Sequence, residues 1–273
     1  MGKLDGKVAL ITGAARGQGR SHAIRLAQEG ADIIAVDVLE AIETVDYPPA
    51  TQADMDETVK EVEGLDRRIF TAKADVRDFT ALQAAYQAGV AELGPVDIVL
   101  ANAGICQLGG AEPDPVQAFN TVIGVNLVGV WNTAYVAAKD MIDRDKGGAM
   151  VLTSSTQGLT GRGSDGSAGA LGYAAAKHGV VGLMRSFANW LSPHGIRVNT
   201  VHPTGVATPM VMNEVIGRYI EDNPEAAKMV ANLMPVDLID PVDISNAILY
   251  LVSDDGRYVT GVTLPVDAGF SAR

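Results

Sequence analysis

The sequence predicts a single-domain α/β fold: one doubly wound parallel sheet with helices on both faces. Three observations carry this reading. Short apolar runs of strand length alternate with helix-length amphipathic segments from one end of the chain to the other. No linker or break in composition divides the chain. Finally, 273 residues of which 47% are hydrophobic suffice to fill one core, so residues 1–273 form one domain. The elements follow in order. Val8-Ala9-Leu10-Ile11 is a continuous apolar run, the pattern of a strand buried on both faces. A glycine-rich turn leads to a helix over 20–29 that stops at Gly30, and 32–36 is the second strand. Residues 38–57 read as an insertion, because Pro48-Pro49 and several acids argue against regular helix before Asp54. Further strands are predicted at 68–73, 96–101, 149–153, 196–201 and Thr263–Val266, each separated by enough chain for a crossover helix. The stretch between Gly161 and Gly172 is too rich in glycine for an element interior and is predicted to be a loop. Right-handed crossovers then place helices on both faces and any ligand at the carboxyl ends of the strands.

Composition excludes several function classes. A formal net charge of -12 at pH 7 repels a phosphate backbone or an anionic lipid surface, so neither nucleic acid nor membrane is expected as a partner. Gly2-Lys3-Leu4-Asp5-Gly6-Lys7 lacks the apolar stretch of a secretory signal, and no later apolar run reads as long enough to span a bilayer. The expected location is cytoplasmic. Cys106, the single cysteine, makes no internal disulfide and reads as a small apolar packer. His22, His178, His194 and His202 have no ligand spacing, so no metal is expected and each reads as a structural or surface residue.

Thr12-Gly13-Ala14-Ala15-Arg16-Gly17-Gln18-Gly19 lies between a predicted strand and a predicted helix. Glycines there let backbone approach a pyrophosphate at a helix N-terminus, although glycine turns are common after strands and the spacing is GxxxGxG. Asp37 sharpens the reading. It ends the second strand, where a carboxylate accepts from both hydroxyls of an adenosine ribose and repels a 2′-phosphate. NAD is therefore the expected cofactor, held by Gly13, Arg16, Gly17, Gln18, Gly19, Asp37 and Val38. Arg16 is the complication, since its guanidinium could pair with a 2′-phosphate; Asp37 is the more decisive group, and no base follows it at Val38 or Leu39. Asp75-Val76 after the third strand is assigned to the adenine edge, with an ordinary helix N-cap as the alternative. Asn102-Ala103-Gly104 after the fourth strand permits close approach to a flat ligand or forms a plain turn.

Tyr173-Ala174-Ala175-Ala176-Lys177 puts a phenol and an ammonium on one helix face. A phenol titrates near 10, too high for a base at neutral pH, but the Lys177 charge and a cationic nicotinamide both favour the phenolate. Tyr173 can then take the proton of a bound alcohol or return it to a forming alkoxide. Ser155, just beyond the strand at 149–153, can hold the substrate oxygen. Asn126 is a polar residue within an apolar helical pattern and serves either structure or a proton relay through water. Pro203, Val206 and Thr208 follow the sixth strand; a backbone N–H near Val206 and the Thr208 hydroxyl could hold a carboxamide, or the segment is a Pro/Gly loop. Residues 205–235, with Met210, Met212, Met229, Leu233 and Met234, read as an adaptable apolar lid over the substrate, or as core or subunit interface. Glu40, Glu43 and Asp46 read as a solvated face of the insertion that could also dock a partner.

In this order, the glycine turn, Asp37, Asn102-Ala103-Gly104, Asn126, Ser155, Tyr173xxxLys177 and the Pro-x-Gly loop resemble the short-chain dehydrogenase/reductase family, over almost the whole chain. The resemblance implies a Rossmann-type sheet and a catalytic tetrad of Asn126, Ser155, Tyr173 and Lys177. It also implies that Tyr173 and Lys177 reach the cofactor, Lys177 through the nicotinamide ribose, and that the assembly is a homotetramer. The insertion around Thr44-Val45-Asp46-Tyr47-Pro48 and the run from Ala15 to His22 resemble the mycofactocin-coupled branch, which includes carveol dehydrogenase-like proteins. That branch implies a tightly held NAD whose electrons leave to a mycofactocin-type acceptor. The chain departs from the family at Thr204, where a glycine is usual, and in the long stretch between Ser155 and Tyr173. The expected reaction moves a hydride between NAD and a small-molecule secondary alcohol or ketone, terpenoid-like in character. Two alternatives stand beside it: a dehydrogenase using freely exchanging NAD on a sugar, steroid or hydroxyacyl substrate, and a non-catalytic NAD-sensing or scaffold protein.

Overall fold

A computed structural model describes residues 2–107, 112 and 114–272. Seven strands form one parallel sheet: β1 (Val8–Thr12), β2 (Asp32–Asp37), β3 (Ile69–Lys73), β4 (Ile98–Ala101), β5 (Gly148–Thr153), β6 (Ile196–Pro203) and β7 (Thr263–Val266), in the order β3-β2-β1-β4-β5-β6-β7. The order reverses beside β1, which pairs with β2 through Leu10 and Ile34 and with β4 through Leu10 and Val99. A crevice opens at such a switch point because the flanking crossovers leave on opposite faces.

Strand alternation divides the core into two layers. Leu10, Val99, Met150 and Leu152 point to the face covered by α3 (Phe79–Leu93), α5 (Gly129–Arg144) and α6 (Ala168–Leu191). Ala9, Ile11, Leu100 and Val151 point to the face covered by α1 (Gly17–Gln28), α2 (Gln52–Glu63) and α9 (Pro241–Val252). Two short helices, α7 (Glu214–Asp222) and α8 (Pro224–Met229), stand between β6 and α9, and α7 buries none of its residues.

Three element boundaries differ from the sequence reading. α1 begins at Gly17, so the glycines of the turn supply its first residues. α2 begins at Gln52, because Thr51 and Asp54 close a capping box. α6 begins at Ala168, inside the predicted loop, with the Ser167 hydroxyl accepting from Ala170 N. Its glycines serve packing: a Cβ on Gly169 would lie 2.6 Å from Gln107 Cβ, and one on Gly172 would lie 3.2 Å from the Phe119 ring on α4 (Pro115–Ile123). Close approach, not chain reversal, explains those positions.

The expectation that no apolar run is long enough to cross a bilayer fails by length and composition. α4, a π turn at Gly124–Val128 and α5 form one 30-residue rod, Pro115–Arg144, that is apolar enough. Within the fold, 61% of its apolar window is buried, with α4 against α6 and α5 against α3 and β4.

Candidate active site

The residues assigned to the cofactor converge on a cleft at the carboxyl ends of the strands. It is bordered by Gly13, Arg16, Gly17, Gln18, Gly19, Asp37, Val38, Asp75, Val76, Asn102, Ala103, Gly104 and Thr208, and contains about 1020 Å³ of non-protein space, part of it open to solvent. The turn is bare for steric reasons. A Cβ on Gly13 would come within 2.8 Å of Ala103 Cα, and one on Gly19 would overlap Gly13 O; Gly13 and Gly17 also have positive φ of 69° and 58°. Asn102 Nδ2 donates to Thr12 O at 3.1 Å and Gly13 O at 3.3 Å, which fixes the turn against β4.

Asp37 is buried at the floor of this cleft, where its carboxylate accepts from Ala15 N at 3.0 Å and Val38 N at 2.8 Å. Oδ1 also takes Leu39 N at 3.5 Å, so Oδ2, which takes Ala15 N, keeps the freer lone pair for a ribose hydroxyl. Arg16 turns away from the role of a 2′-phosphate partner: its guanidinium donates to the carbonyls of Pro48 at 2.6 Å and Pro49 at 3.1 Å. Gln18 Oε1 is buried in the same cleft without a partner among the described residues. An orphaned acceptor, a stripped turn and a carboxylate at the ribose position fit a dinucleotide without a 2′-phosphate. Bound there, NAD supplies the hydride chemistry. Asp75 is a different case. Asp78 caps α3 by accepting from Ala81 N, so the N-cap alternative for Asp75 is corrected. Burial opposes charge on Asp75, yet hydrogen bonds from the Arg77 side chain and N–H hold its pKa below the usual carboxylate range.

The proton-handling residues stand behind the Gly104–Ile105 wall. A Cβ on Gly104 would lie 2.8 Å from Asn126 Oδ1 and 3.6 Å from Lys177 Nζ. Asn126 clamps the Ile105 peptide from both sides: its Oδ1 accepts from Ile105 N at 3.1 Å and its Nδ2 donates to Ile105 O at 2.8 Å. These two bonds give its side chain a structural role and leave one Nδ2 hydrogen and one Oδ1 lone pair for a water; the residue sits in the π turn. Lys177, almost wholly buried, donates from Nζ to Thr153 O at 2.8 Å and lies 5.5 Å from the centre of the Tyr173 ring. Burial pulls the Lys177 pKa down to about 8, opposed by the neighbouring Cys106. The sequence expectation that Lys177 makes the Tyr173 phenol acidic is not met by the protein alone. Burial pushes the phenol above its ordinary value, Cys106 adds to this, and a hydrogen bond from the Ser155 hydroxyl pulls the other way. A cationic nicotinamide would add positive charge to that of Lys177 and favour the phenolate.

Pro203 and Val206 do not border the cleft: Pro203 ends β6 and Val206 is buried beside Ile239. Thr208, Pro209 and Met210 of that loop do so, with the Thr208 side chain against Gly17. The lid residues Met212, Met229, Leu233 and Met234 are exposed, and Met210 borders the cleft.

The resemblance tied the insertion to a tightly held NAD, but sequence reasoning did not foresee its contacts. It is a strap across the cleft, where Ile42 and Val45 pack with Val76, Ile105, Val122, Val125 and Tyr173. Tyr47 reaches the far wall, its hydroxyl accepting from Cys106 N at 3.4 Å, and burial pushes its pKa up to about 12. Glu40, Glu43 and Asp46 are exposed, as the sequence reading of a solvated face expects; on that face Glu40 pairs with Lys73 at 2.7 Å and Glu43 accepts from Gln117 Nε2 at 3.0 Å. The available signal was a tyrosine beside Pro48-Pro49 in an otherwise acidic insertion. The Thr204 departure also has a use: its hydroxyl donates to Asn232 Oδ1 at 2.7 Å and ties the lid segment to β6. Cys106 is a free thiol, raised to about 11 by burial, which suits a packing role. No cluster among the described residues could hold a metal.

The short chain dehydrogenase family model matches residues 7–218. The chain is 49% identical to (-)-trans-carveol dehydrogenase of Rhodococcus erythropolis, covering 98% of this chain and 99% of that protein. Its fold superposes on carveol dehydrogenase from Mycobacterium avium in complex with NAD with a TM-score of 0.92, at 48% identity and 100% coverage of both chains. A short chain dehydrogenase from Mycobacterium paratuberculosis bound to NAD gives a TM-score of 0.92 at 42% identity, again over 100% of both chains. The chain belongs to the short-chain dehydrogenase/reductase family, in its carveol dehydrogenase-like branch, and is an NAD-dependent oxidoreductase of secondary alcohols and ketones.

Proposed function

We propose that this enzyme interconverts a terpenoid-like cyclic alcohol, of the kind named in its carveol dehydrogenase relatives, and the matching ketone, with an NAD that stays bound between turnovers. Tyr173 exchanges the substrate proton, Ser155 holds the substrate oxygen, Lys177 holds the nicotinamide ribose, and Asn126 fixes the Ile105 wall. The single observation that carries the retained cofactor is the strap. Arg16 from the glycine turn grips its two proline carbonyls, and Tyr47 reaches the opposite wall, so residues 38–57 close the mouth through which a dinucleotide leaves. Electrons then pass to a second carrier of the mycofactocin type while the nicotinamide remains in place. The segment 205–235 covers the substrate.

We assign the protein to the cytoplasm as a homotetramer. The assembly is supported by an aromatic row on α5 and α6, where Trp131, Tyr135 and Trp190 are all more than a third exposed and stack or tilt against one another. Such a patch on a soluble surface suits a subunit contact.

The test is direct. Protein is passed through gel filtration, denatured, and its supernatant assayed for nicotinamide; carveol oxidation is then followed with an artificial acceptor and, separately, with free NAD. The proposal predicts stoichiometric nicotinamide and turnover with the artificial acceptor. Cofactor lost on the column, with turnover on free NAD, establishes the exchanging dehydrogenase instead. Bound NAD without turnover of any alcohol supports the sensing or scaffold alternative.

A further inference from the structure

Ser155 sits where the sheet runs out. β5 ends at Thr153, and the ladder to β6 makes its last backbone bond from Ser154 N to Val201 O at 2.9 Å. The next carbonyl, that of Ser155, has no strand partner. One of its lone pairs takes Gly158 N at 2.9 Å in the following turn, and the other takes His202 Nδ1 at 2.8 Å. His202 lies on β6, wholly buried, with Nε2 2.8 Å from Thr200 Oγ1 on the same face of the strand.

Chemistry fixes the protons along this line. A carbonyl oxygen cannot donate, so Nδ1 carries the hydrogen. Burial holds the ring below the usual imidazole pKa, leaving it neutral, and Nε2 therefore accepts from the Thr200 hydroxyl, which donates there at 2.8 Å in preference to Val262 O, the more distant acceptor at 3.3 Å. The chain runs Thr200 Oγ–H to His202 Nε2, then His202 Nδ1–H to Ser155 O. The Ser155 hydroxyl itself accepts from Gln157 N at 3.2 Å, and Ser154 Oγ donates to Lys177 O at 2.8 Å. The peptide that carries the Ser155 hydroxyl is thus held from three sides.

We propose that His202, in the neutral Nδ1–H form that the Ser155 carbonyl requires and with its ring held by Thr200, is a positioning residue for Ser155: a side chain that extends the sheet ladder by one carbonyl and aims the hydroxyl at the substrate oxygen. This rests on the role given to Ser155 above. A hydroxyl misplaced by a fraction of an ångström still admits substrate but stabilises developing charge less well, so the effect belongs in kcat and not in KM.

Two substitutions separate positioning from mere packing. Asparagine places an amide N–H where Nδ1 stood; glutamine places its amide near Nε2, out of reach of Ser155 O. With the alcohol and acceptor of the preceding experiment, His202→Gln is expected to lower kcat by roughly 10- to 100-fold with KM within about threefold. His202→Asn is expected to recover to within about fivefold of the wild type at a similar melting temperature. Equal kcat in the two variants, or an unchanged kcat in His202→Gln, overturns the proposal. Thr200→Val keeps the volume and removes the hydroxyl that holds the ring at Nε2, so it decides the matter if neither His202 variant folds: a severalfold loss of kcat is expected, and no loss overturns it. A wild-type protein without activity sinks the functional reading; an active one with indifferent variants sinks this inference alone.

Discussion

Tyr173 and Asp37 show how one neighbour decides what a side chain can do. Burial raises the Tyr173 phenol above its ordinary value, with Cys106 and Tyr47 adding to this and the Ser155 hydrogen bond opposing it, so in the protein alone it stands ready as an acid, and a cationic nicotinamide beside it would favour the phenolate. Removing a positioned acid or base costs about 10²–10⁴ in rate. Tyr173→Phe is therefore expected to lower kcat by that range while the protein keeps its nicotinamide, read by turnover and by bound cofactor on the same sample. Asp37 holds its carboxylate through Ala15 N and Val38 N, leaving charge for the ribose. A hydrogen bond to a charged group contributes about 1.5–3 kcal/mol, so Asp37→Asn is expected to weaken NAD binding by roughly tenfold or more. The same change is expected to narrow discrimination against the 2′-phosphorylated analogue. Calorimetric titration of cofactor-stripped protein measures both.

Elements divide by how their sequences encode them. The strands were legible because burial on both faces leaves continuous apolar runs, and Val8-Ala9-Leu10-Ile11 and Asp32–Asp37 fall within a residue or so of the reading. The start of α6 was not, because glycine carries two meanings: conformational freedom in a loop and close approach in a helix. Gly169→Ala separates them. By helix propensity alone the change stabilises by about 1 kcal/mol; by packing against Gln107 Cβ it destabilises by about 1–3 kcal/mol. The structure predicts the second, visible as a lowered melting temperature. The grip of the strap on the site failed to read for a related reason. Its contacts are made by carbonyls of Pro48 and Pro49 and by isolated side chains such as Tyr47, and neither leaves a periodic trace. The catalytic positions were legible from their order along the chain, whereas the support given to Ser155 by His202 appears only when β5 and β6 lie side by side.

Across the whole molecule, the net charge of -12 leaves the glycine turn and Arg16 as a local exception that admits an anionic dinucleotide. The fold also has an acid limit, set behind the glycine turn. His22 is wholly buried between α1 and α9, with Nδ1 2.8 Å from Ser245 Oγ and the Asn102 side chain as a second neighbour that opposes the effect of burial. Burial pulls its pKa down from 6.5 to about 3. The unfolded chain takes up a proton below 6.5 that the folded chain refuses, so the stability from a neutral His22 is fully present above 6.5. It is lost progressively as pH falls toward 3, on the order of 4–5 kcal/mol in all. Denaturant melts between pH 7 and 4 are expected to show this loss in the wild type and much less of it in His22→Gln. The central claim, direct hydride transfer between alcohol carbon and nicotinamide, is tested by single turnover of a secondary alcohol deuterated at its carbinol carbon, with mass analysis of the released nicotinamide. The account predicts one deuterium on the nicotinamide and a slowed transfer step; deuterium found in the water, with an unlabelled nicotinamide, contradicts it.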